Sequence, residues 1–403
     1  GRVDAQHGLG AGSDVELQLA RMLAEYTDLM KPKKGPGRLV FINLQKRLLS
    51  SVEAFFRTLR KHADGVGKGG AVTMLRRLDE EDAELPLGVD DDTRDEEEGD
   101  EVAAASGALS TPAGRAQKLL EDMLTLAEQP RSAPDAKVRA LVAWLRDHVC
   151  SAVTLDESAP RPKKATWADR RVIVFTEYGD TKRYLFDILR GLCERAPGGE
   201  GRILQMHGGM SDEARDEVQR AFNAPPGEHP VRILIATDAA REGINLQAHC
   251  ADLIHFDVPW NPGRMEQRNG RIDRTLQPSP EVRCHYFSYT QREEDRVLDV
   301  LVAKVERIQK ELGSVGQVVM EKIEEAMADG IAPMLLPAIE AAESEGEARR
   351  RVAGAELEVQ RDLKKLKLEI DQAARILADS RKVMDFDASL LRDAVDVGLE
   401  LAG

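Results

Sequence analysis

Residues that can bind a charged ligand follow four short apolar runs in the middle of the sequence. The runs RVIVF, GRILQM and VRILIA are followed by Thr176, by His207 and Gly208, and by Thr237. The fourth run, LIHFDV, is followed by a segment with arginines at positions 264, 268, 271 and 274. Arg271 and Arg274 are three positions apart, which predicts one helix face, and their guanidinium groups can stabilise negative charge on phosphoryl oxygens. Taken singly, all these residues are also typical of capped turns and of a solvated helix face.

The elements that must position these residues are those of a parallel sheet. Between residues 168 and 290, five short apolar runs alternate with amphipathic segments such as DTKRYLFDILRGLCERA and SDEARDEVQRAF. Continuous apolar strands that alternate with helices are typical of a parallel sheet covered on both faces. In such a sheet ligands bind at the carboxyl ends of the strands. The sequence therefore predicts an α/β domain over residues 168–290, with its chemistry at that edge.

The regions on either side of this domain are predicted to be helical. Upstream, LVFINLQKRLLSSVEAFFRTLRKH carries apolar residues at helical spacing, and so does the stretch from Ala116 to Cys150. Residues 1–78 are therefore predicted to be helical, and residues 116–167 to be a helical segment with a linker. Residues 291–403 are predicted to be a helical C-terminal region, in which apolar residues from Val352 to Leu377 have the spacing of a helical hairpin or short coiled coil.

The acidic charge of the chain is concentrated in one segment. The net charge is −14, and residues 79–101 contain fourteen carboxylates and one arginine. The rest of the chain is nearly neutral, so the net charge does not exclude nucleic acid as a ligand. Because like charges repel and the segment has no apolar period, residues 79–115 are predicted to be a disordered insertion.

Composition excludes several protein classes. No apolar run approaches the roughly 18 residues of a membrane span, and the first ten residues lack the pattern of a signal peptide. A cytoplasmic location without a membrane partner is therefore expected. The four cysteines are too far apart in sequence for a CxxC pair, which excludes a recognisable zinc module and a dense disulfide framework. They are predicted to be core thiols, and no metal site is predicted in this chain.

The order and spacing of several motifs resemble one known family. The block IATDAAREGINLQ, followed by FDVPWNP and QRNGRIDR, resembles motifs V, Va and VI of the superfamily-two helicases and translocases in their Swi/Snf-type form. VIVFTEY and MHGGMSDEARDEVQRAF are similar to motif IV and to the next segment of the family's second RecA-like lobe. QKRLLSSVEAFFRTL is similar to the helical connection between its two lobes, and YTQREEDRVLDVLVAKVERIQKELG to its closing brace helices. The family's bacterial branch includes an RNA-polymerase-associated translocase and the helicase of the DISARM phage-defence system.

The resemblance implies roles for the residues that follow the strands. Arg271 and Arg274 match the arginine fingers, which stabilise the charge that develops during phosphoryl transfer from ATP. Four further residues match positions near the nucleotide or the lobe interface: Gln267, Glu242, Gly243 and Asn245. Thr237 matches a donor to a nucleic-acid phosphate. The weaker candidates for the same path are Thr176, His207 and Gly208.

The chain departs from the family pattern because it contains no Walker A loop and no DExx box. HADGVGKGG has the wrong spacing for the loop, and the tetrad that begins at Asp212 follows HGGMS, where it is predicted to open a helix capped by Ser211. ATP and Mg²⁺ would then be held mainly by a first RecA-like lobe that this sequence lacks. Residues 1–78 would be the helical connection from that missing lobe, and the chain alone is expected to be inactive as an ATPase.

These observations favour part of an ATP-dependent translocase or helicase that acts on double-stranded DNA. The resemblance further implies partners in a bacterial defence or transcription complex. Two alternatives stay open: a non-catalytic helicase-like scaffold that docks partners, and a strand-separating RNA helicase. Arg271, Arg274 and Gln267 in register argue against the scaffold. The connection-like QKRLLSS stretch and the brace-like segment favour the DNA translocase over the RNA helicase.

Overall fold

The computed structural model describes most of the first 302 residues. The described residues are 2–9, 14–32, 37–68, 90–128, 134–158, 162–238, 245–259, 262–274, 277–289, 291–292, 294–300 and 302, together with 337, 392, 396 and 397. The chain divides into two compact units, Gly1–Ala342 and Glu343–Gly403. The elements below all belong to the first unit. The predicted helical hairpin or coiled coil lies outside the described residues.

Within this part of the chain, six strands form one parallel sheet in the order β1, β6, β5, β2, β4, β3. The strands are β1 (Arg2–Leu9), β2 (Arg171–Thr176), β3 (Ile203–Met206), β4 (Ile233–Thr237), β5 (Cys250–His255) and β6 (Val282–Tyr289). Every neighbouring pair is parallel. Thr176 at the end of β2 is in register with Thr237 at the end of β4. The predicted α/β fold with a parallel sheet is confirmed.

Helices cover both faces of this sheet, which explains why its central strands are apolar throughout. Along β2, Ile173 and Phe175 pack into one core, while Val172 and Val174 pack into another on the opposite face. Three helices follow strands of the sheet: α7 (Gly179–Arg195), α8 (Asp212–Asn223) and α9 (Pro262–Asn269). α8 contributes Phe222 to the first core, and α7 contributes its leucines to the second. A strand buried on both faces needs no polar alternation.

The segments before β2 are largely helical. They form α1 (Asp14–Met30), α2 (Gly37–Ser50), α3 (Val52–Gly65), α4 (Asp91–Gly107), α5 (Arg115–Glu128) and α6 (Ala136–His148). The residues predicted to share a helix face upstream are all buried: Leu44, Leu48, Val52, Phe55, Phe56 and Leu59. The predicted helix is interrupted at Ser51, whose hydroxyl accepts a hydrogen bond from the Ala54 backbone at 3.1 Å and so caps α3.

Two expectations for the N-terminal part are wrong. Residues 2–9 fall in the region predicted to be helical, but they form β1, which pairs with β6 along its whole length. Residues 91–107 fall in the predicted disordered insertion, but they form α4. Arg47 of α2 offsets the repulsion between the carboxylates, because it forms ion pairs with Asp95 at 3.0 Å and with Glu98 at 2.5 Å. Residues 79–89, the first part of that predicted insertion, lie outside the described residues.

The four cysteines of the sequence are buried free thiols, as predicted. Burial raises the pKa of Cys193 and of Cys250 to about 12, so neither thiol ionises near neutral pH. Among the helices that the structure describes, none combines the length and the apolar character that crossing a membrane requires.

Candidate functional site

The carboxyl ends of β2 and β5 are joined by the carboxylate of Asp257. The Thr176 hydroxyl donates to Asp257 Oδ2 at 2.6 Å, and the Glu177 backbone N–H donates to Asp257 Oδ1 at 2.9 Å. The Ser50 hydroxyl of α2 also donates to Asp257 Oδ2, at 2.6 Å. This arrangement buries Thr176 completely. The sequence predicts a nucleic-acid contact from the Thr176 hydroxyl, but the structure directs that hydroxyl into the protein.

The guanidinium group of Arg268 ties the ends of β4 and β5 together. It donates to both carboxylate oxygens of Asp238, at 2.5 and 2.6 Å, and to the backbone oxygen of Asp257 at 2.8 Å. Burial alone would raise the pKa of Asp238, but the charge and hydrogen bonds of Arg268 hold it below its ordinary value. Arg268 is itself buried. This arginine is therefore structural and does not belong to a solvated helix face.

Arg271 and Arg274 lie after the end of α9, so the prediction that they share a helix face is wrong. The helix ends at Asn269, and the chain continues in turns in which the Ile272 backbone N–H donates to the Asn269 oxygen at 3.1 Å. Two features favour this ending. Gly270 has a low helix propensity, and Ile272 turns inward to become fully buried in the core.

Arg274 and Asn245, both predicted site residues, contact each other. The exposed Arg274 guanidinium donates to the Asn245 side-chain oxygen, and its Nε donates to the Gly270 backbone oxygen at 2.6 Å. The Leu246 backbone N–H donates to the Arg271 oxygen at 3.2 Å, which joins the same two segments a second time. Gln267 is exposed and Arg271 half-exposed. Glu242 and Gly243 lie outside the described residues.

This pair does not lie at the strand ends where the sequence predicts all the chemistry. Asn245 belongs to the segment that leads into the first residue of β5. Gln277, three residues after Arg274, donates to the backbone oxygen of Cys250 at that same start of β5, at 3.0 Å. Thr237, by contrast, is the last residue of β4. The structure therefore places Arg274 and Asn245 near the start of β5 and Thr237 at the end of β4.

Thr237 contacts an acidic residue that the sequence does not connect with it. Its hydroxyl donates to Asp91 Oδ2, in the first turn of α4, at 2.9 Å. The same carboxylate oxygen is 3.5 Å from the ammonium nitrogen of Lys182 in α7. Thr237 and Lys182 are both nearly inaccessible to solvent, at 1% and 3% exposure. In this structure the predicted phosphate donor is thus occupied by a carboxylate.

His207 and Gly208 lie beside the same acidic turn. His207 Nδ1 is 3.8 Å from Asp90 Oδ1, and the Gly208 oxygen accepts a hydrogen bond from Arg215. Burial, followed by the charge of Lys182, lowers the pKa of His207, so its ring is neutral at pH 7. The next helix, α8, begins at Asp212, as predicted, and the Ser211 hydroxyl accepts from the Ala214 backbone at 3.2 Å. This confirms that the Asp212 tetrad opens a capped helix.

Several residues that organise the site were missed by sequence reasoning. Asp238 and Asp257 are part of the quoted motif blocks TDAAREG and FDVPWNP, and each follows an apolar strand. An acidic residue directly after an apolar strand, with arginines nearby in sequence, predicts a buried ion pair such as those formed by Arg268. Asp91 carries no comparable signal, because it is one of many carboxylates in an acidic stretch.

Comparisons with known proteins match the region that contains these residues. Residues 165–275 match the family model described as the helicase conserved C-terminal domain. That range includes β2 to β5, α7 to α9, and the three arginines of the QRNGRIDR block.

Individual relatives agree with this match. An uncharacterized ATP-dependent helicase, YqhH, of Bacillus subtilis (strain 168) is 33% identical over 152 residues, which cover 37% of this chain and 24% of the relative. The RNA polymerase-associated protein RapA of Vibrio cholerae serotype O1 (strain M66-2) is 28% identical over 268 residues, 65% of this chain and 22% of the relative. This chain thus spans about a quarter of the length of these curated relatives.

A solved structure of the C-terminal part of the Fun30 ATPase domain also matches. It is 16% identical with a TM-score of 0.38, and the match covers 74% of this chain and 88% of that one. The domain match and the helicase relatives agree with the observed parallel sheet. Residues 165–275 carry a helicase conserved C-terminal domain, the second RecA-like lobe of the Swi/Snf-type superfamily-two helicases.

Proposed function

We propose that this chain supplies the second lobe of an ATP-dependent motor that moves along double-stranded DNA. The observation that carries the proposal is the contact between Arg274 and Asn245. It joins, on an exposed surface, the two segments that the family resemblance assigns to the nucleotide. A guanidinium group at such a surface can approach a ligand bound to a neighbouring lobe, which a buried arginine such as Arg268 cannot do.

The donors at this surface fit a triphosphate. Arg271 and Arg274 carry only N–H donors, and Arg274 is held at one side by the Gly270 oxygen and the Asn245 amide oxygen. Fixing the guanidinium in advance reduces the reorganisation required to stabilise charge on the γ-phosphoryl oxygens. ATP, when bound, would supply the phosphoryl group whose transfer drives movement. Mg²⁺ would be held mainly by the first lobe, together with most of the nucleotide.

The proposed DNA contacts lie at the carboxyl ends of β3 and β4 and at the start of α7. Thr237 offers a hydroxyl donor, Lys182 an ammonium group, and the His207 to Gly208 segment a turn close to both. Hydroxyl and ammonium donors are typical of contacts to the sugar–phosphate backbone, which carry no sequence information. Contacts of this kind suit a motor that tracks DNA of any sequence.

The nucleotide role is tested in the complete protein with Arg274→Ala and Arg271→Ala. We expect DNA-stimulated ATP turnover to fall by about 10³-fold or more, because an arginine finger acts mainly on the transition state. Affinity for nucleotide and DNA should change by less than about threefold by the same argument. Arg190→Ala, which removes an exposed arginine of α7, is the matched control and should retain normal turnover. Near-normal turnover of Arg274→Ala would contradict the assignment.

The 403-residue chain itself is expected to show no DNA-stimulated ATPase, because its sequence contains neither a Walker A loop nor a DExx box. Turnover that persists through repeated purification would contradict this expectation. Duplex DNA and duplex RNA of equal length should be compared as activators of the complete protein. Stronger activation by RNA would favour the RNA helicase, and no response to either would favour the scaffold.

The partner class is also open to test. One relative that matches much of this chain is named for its association with RNA polymerase. We therefore propose transcription proteins as partners, and co-purification of RNA polymerase with the complete protein tests this. A role in phage defence stays a prediction, which plaque counts on cells with and without the gene would test.

A further inference from the structure

The acidic first half of α4 occupies the surface that we propose for DNA. Asp91 accepts from the Thr237 hydroxyl at 2.9 Å and pairs with Lys182 at 3.5 Å. Asp95 accepts from the Asp180 backbone N–H, in the first turn of α7, at 2.6 Å. The carboxylates therefore contact a hydroxyl, an ammonium group and a helix N-terminus, which come from β4 and α7.

These three donors are of the kinds that bind phosphate oxygens. A helix N-terminus presents backbone N–H groups and a positive end of the helix dipole to an anion. Hydroxyl and lysine donors complete a typical contact to the nucleic-acid backbone. In this structure each of them is used by a carboxylate of α4. The carboxylates thus stand in the positions that phosphate oxygens of bound DNA would take.

The contact is also close enough to exclude a second ligand. Gly209 lies in the turn that follows β3, and a Cβ atom added to it would lie 2.8 Å from Asp90 Cβ. A Cβ atom added to Gly179, the first residue of α7, would lie 3.0 Å from Asp91 Cβ. Backbone of the lobe and side chains of α4 are therefore in direct contact. A phosphodiester strand cannot reach Thr237 or Lys182 while α4 is in place.

The two halves of α4 are held differently. The C-terminal half packs into the helical core through Val102 and Ala105, and the Ser106 hydroxyl is 2.7 Å from His62 Nδ1. The N-terminal half is held by charged and polar contacts, chiefly with Arg47 and with the donors described above. Gly99 lies between the halves and weakens the helix there, because glycine has a low helix propensity. The acidic half can therefore leave while the apolar half stays packed.

We propose that the acidic half of α4 is an autoinhibitory segment that must leave the lobe before DNA can bind. This inference rests on the proposed function, since it concerns access to the proposed DNA surface. The ligand that competes with α4 for this surface is the sugar–phosphate backbone of duplex DNA. Phosphates would take over Thr237, Lys182 and the N-terminus of α7, and α4 would be displaced about Gly99.

The first test measures affinity of the 403-residue chain for a fluorescent DNA duplex by anisotropy. Asp91→Asn with Asp95→Asn removes two charges at the contact. If about a tenth of the chains are open, this double variant should tighten the dissociation constant about tenfold. Glu96→Gln with Glu97→Gln removes the same charge from exposed positions of the same helix and is the matched control. Equal tightening in both variants would mean general charge repulsion and would overturn the inference.

A third variant separates the inference from the proposed function. Lys182→Ala, added to the Asp91→Asn and Asp95→Asn pair, should abolish the gain in affinity. If the gain persists, DNA binds elsewhere and the inference fails. If the double variant binds no better than the unaltered chain while Lys182→Ala weakens both, the DNA surface is real but α4 does not block it. If no variant binds DNA, the proposed DNA surface is wrong.

A reversible lock guards against variants that merely disturb folding. Gly179→Cys with Asp91→Cys places two Cβ atoms 3.0 Å apart, and a shift of about 0.5 Å brings them to the separation found in a disulfide. The oxidised protein should bind no DNA, and reduction should restore binding in the same sample. DNA binding that is equal in the oxidised and reduced forms would overturn the inference.

Discussion

At the scale of single residues, Arg268 holds the ends of β4 and β5 in position through its contacts with Asp238 and Asp257. We call this arrangement the Arg268 clamp. The Arg268 guanidinium group is the counter-ion of two buried carboxylates, those of Asp238 and Asp257. A planar group with five donors can make such contacts in several directions at once. Arg274, six residues later, is exposed. Chemically identical side chains therefore lie in opposite environments within one short segment.

Removing the clamp should destabilise the lobe strongly. Arg268→Met leaves Asp238 buried without its counter-ion, and breaking a buried pair in this way costs about 3 to 5 kcal/mol of unfolding free energy. Urea unfolding at pH 7 measures this loss, and Arg190→Ala should change stability by less than about 0.5 kcal/mol as the control. The Met variant should recover part of its stability at lower pH, where Asp238 becomes protonated. A loss as small as that of the control would show that the clamp is not structural.

A buried histidine predicts a pH dependence of stability. His62 lies between the Tyr26 and Ser106 hydroxyls, at 2.8 and 2.7 Å, and burial lowers its pKa to about 4. The unfolded chain takes up this proton near pH 6.5, whereas the native state does not, so the unfolding free energy falls as pH falls from about 6.5 towards 4. Urea midpoints at pH 7.5 and 5.5 should therefore differ more for the unaltered chain than for His62→Gln.

The comparison with His62→Gln also removes a competing effect. Burial raises the pKa of Asp95 to about 6, and its surroundings include Arg47, Asp180 and Glu98. This carboxyl favours the native state at lower pH, which is the opposite direction. Because both proteins contain Asp95, the difference between them reports on His62. An equal pH dependence in the two proteins would contradict the prediction.

At the scale of elements, the sequence predicts best where periodicity is unbroken. The apolar face of α2 and α3 and the runs of β2, β4 and β5 all follow from spacing and composition. α4 was missed because its stability depends on partners far away in sequence, above all Arg47 and Lys182. β1 was missed because an edge strand needs no continuous apolar run, and RVDAQHGL has none. Local patterns cannot show contacts of this kind.

Gly99 gives an element-scale prediction. A Cβ atom at this position would make ordinary contacts with Lys61 at 3.6 Å, so Gly99→Ala should stabilise the protein by about 0.5 to 1 kcal/mol. It should also weaken DNA binding, because a stiffer α4 opens less often. Gly191→Ala in α7, where a Cβ meets nothing within 4 Å, is the control. Gly191→Ala should stabilise the protein by a similar amount without changing its affinity for DNA. If both variants weaken DNA binding equally, α4 does not bend at Gly99.

At the scale of the whole lobe, β1 forms one edge of the sheet. Arg2 in its first position donates to both carboxylate oxygens of Glu266 in α9, at 3.0 and 2.9 Å. Through this contact the edge strand also steadies the helix that carries Gln267 and Arg268. The parallel sheet and its two covered faces were predictable from residues 168–290, but the added strand was not. Nothing local in the first nine residues indicates a partner near position 282.

Deleting residues 2–9 tests the importance of this strand. The deletion exposes the edge of β6, and an uncovered strand edge favours association with another chain. We expect a lower melting temperature and oligomers in size-exclusion chromatography. Val3→Lys, which adds a charge at an exposed position of β1, should leave the oligomeric state unchanged. A deletion variant with unchanged oligomeric state and unchanged melting temperature would show that β1 is dispensable.

The pairing of β1 with β6 has a consequence for synthesis of the protein. Each residue of β1 finds its partner 280 positions later in the chain. At about 5 to 20 residues per second, a ribosome needs roughly 14 to 56 seconds to make the intervening polypeptide. During that time β1 has emerged while its partner strand does not yet exist. The nascent chain must therefore keep this strand out of wrong pairings, and a factor that binds extended segments near the exit tunnel would have the most to protect in the eight residues of β1.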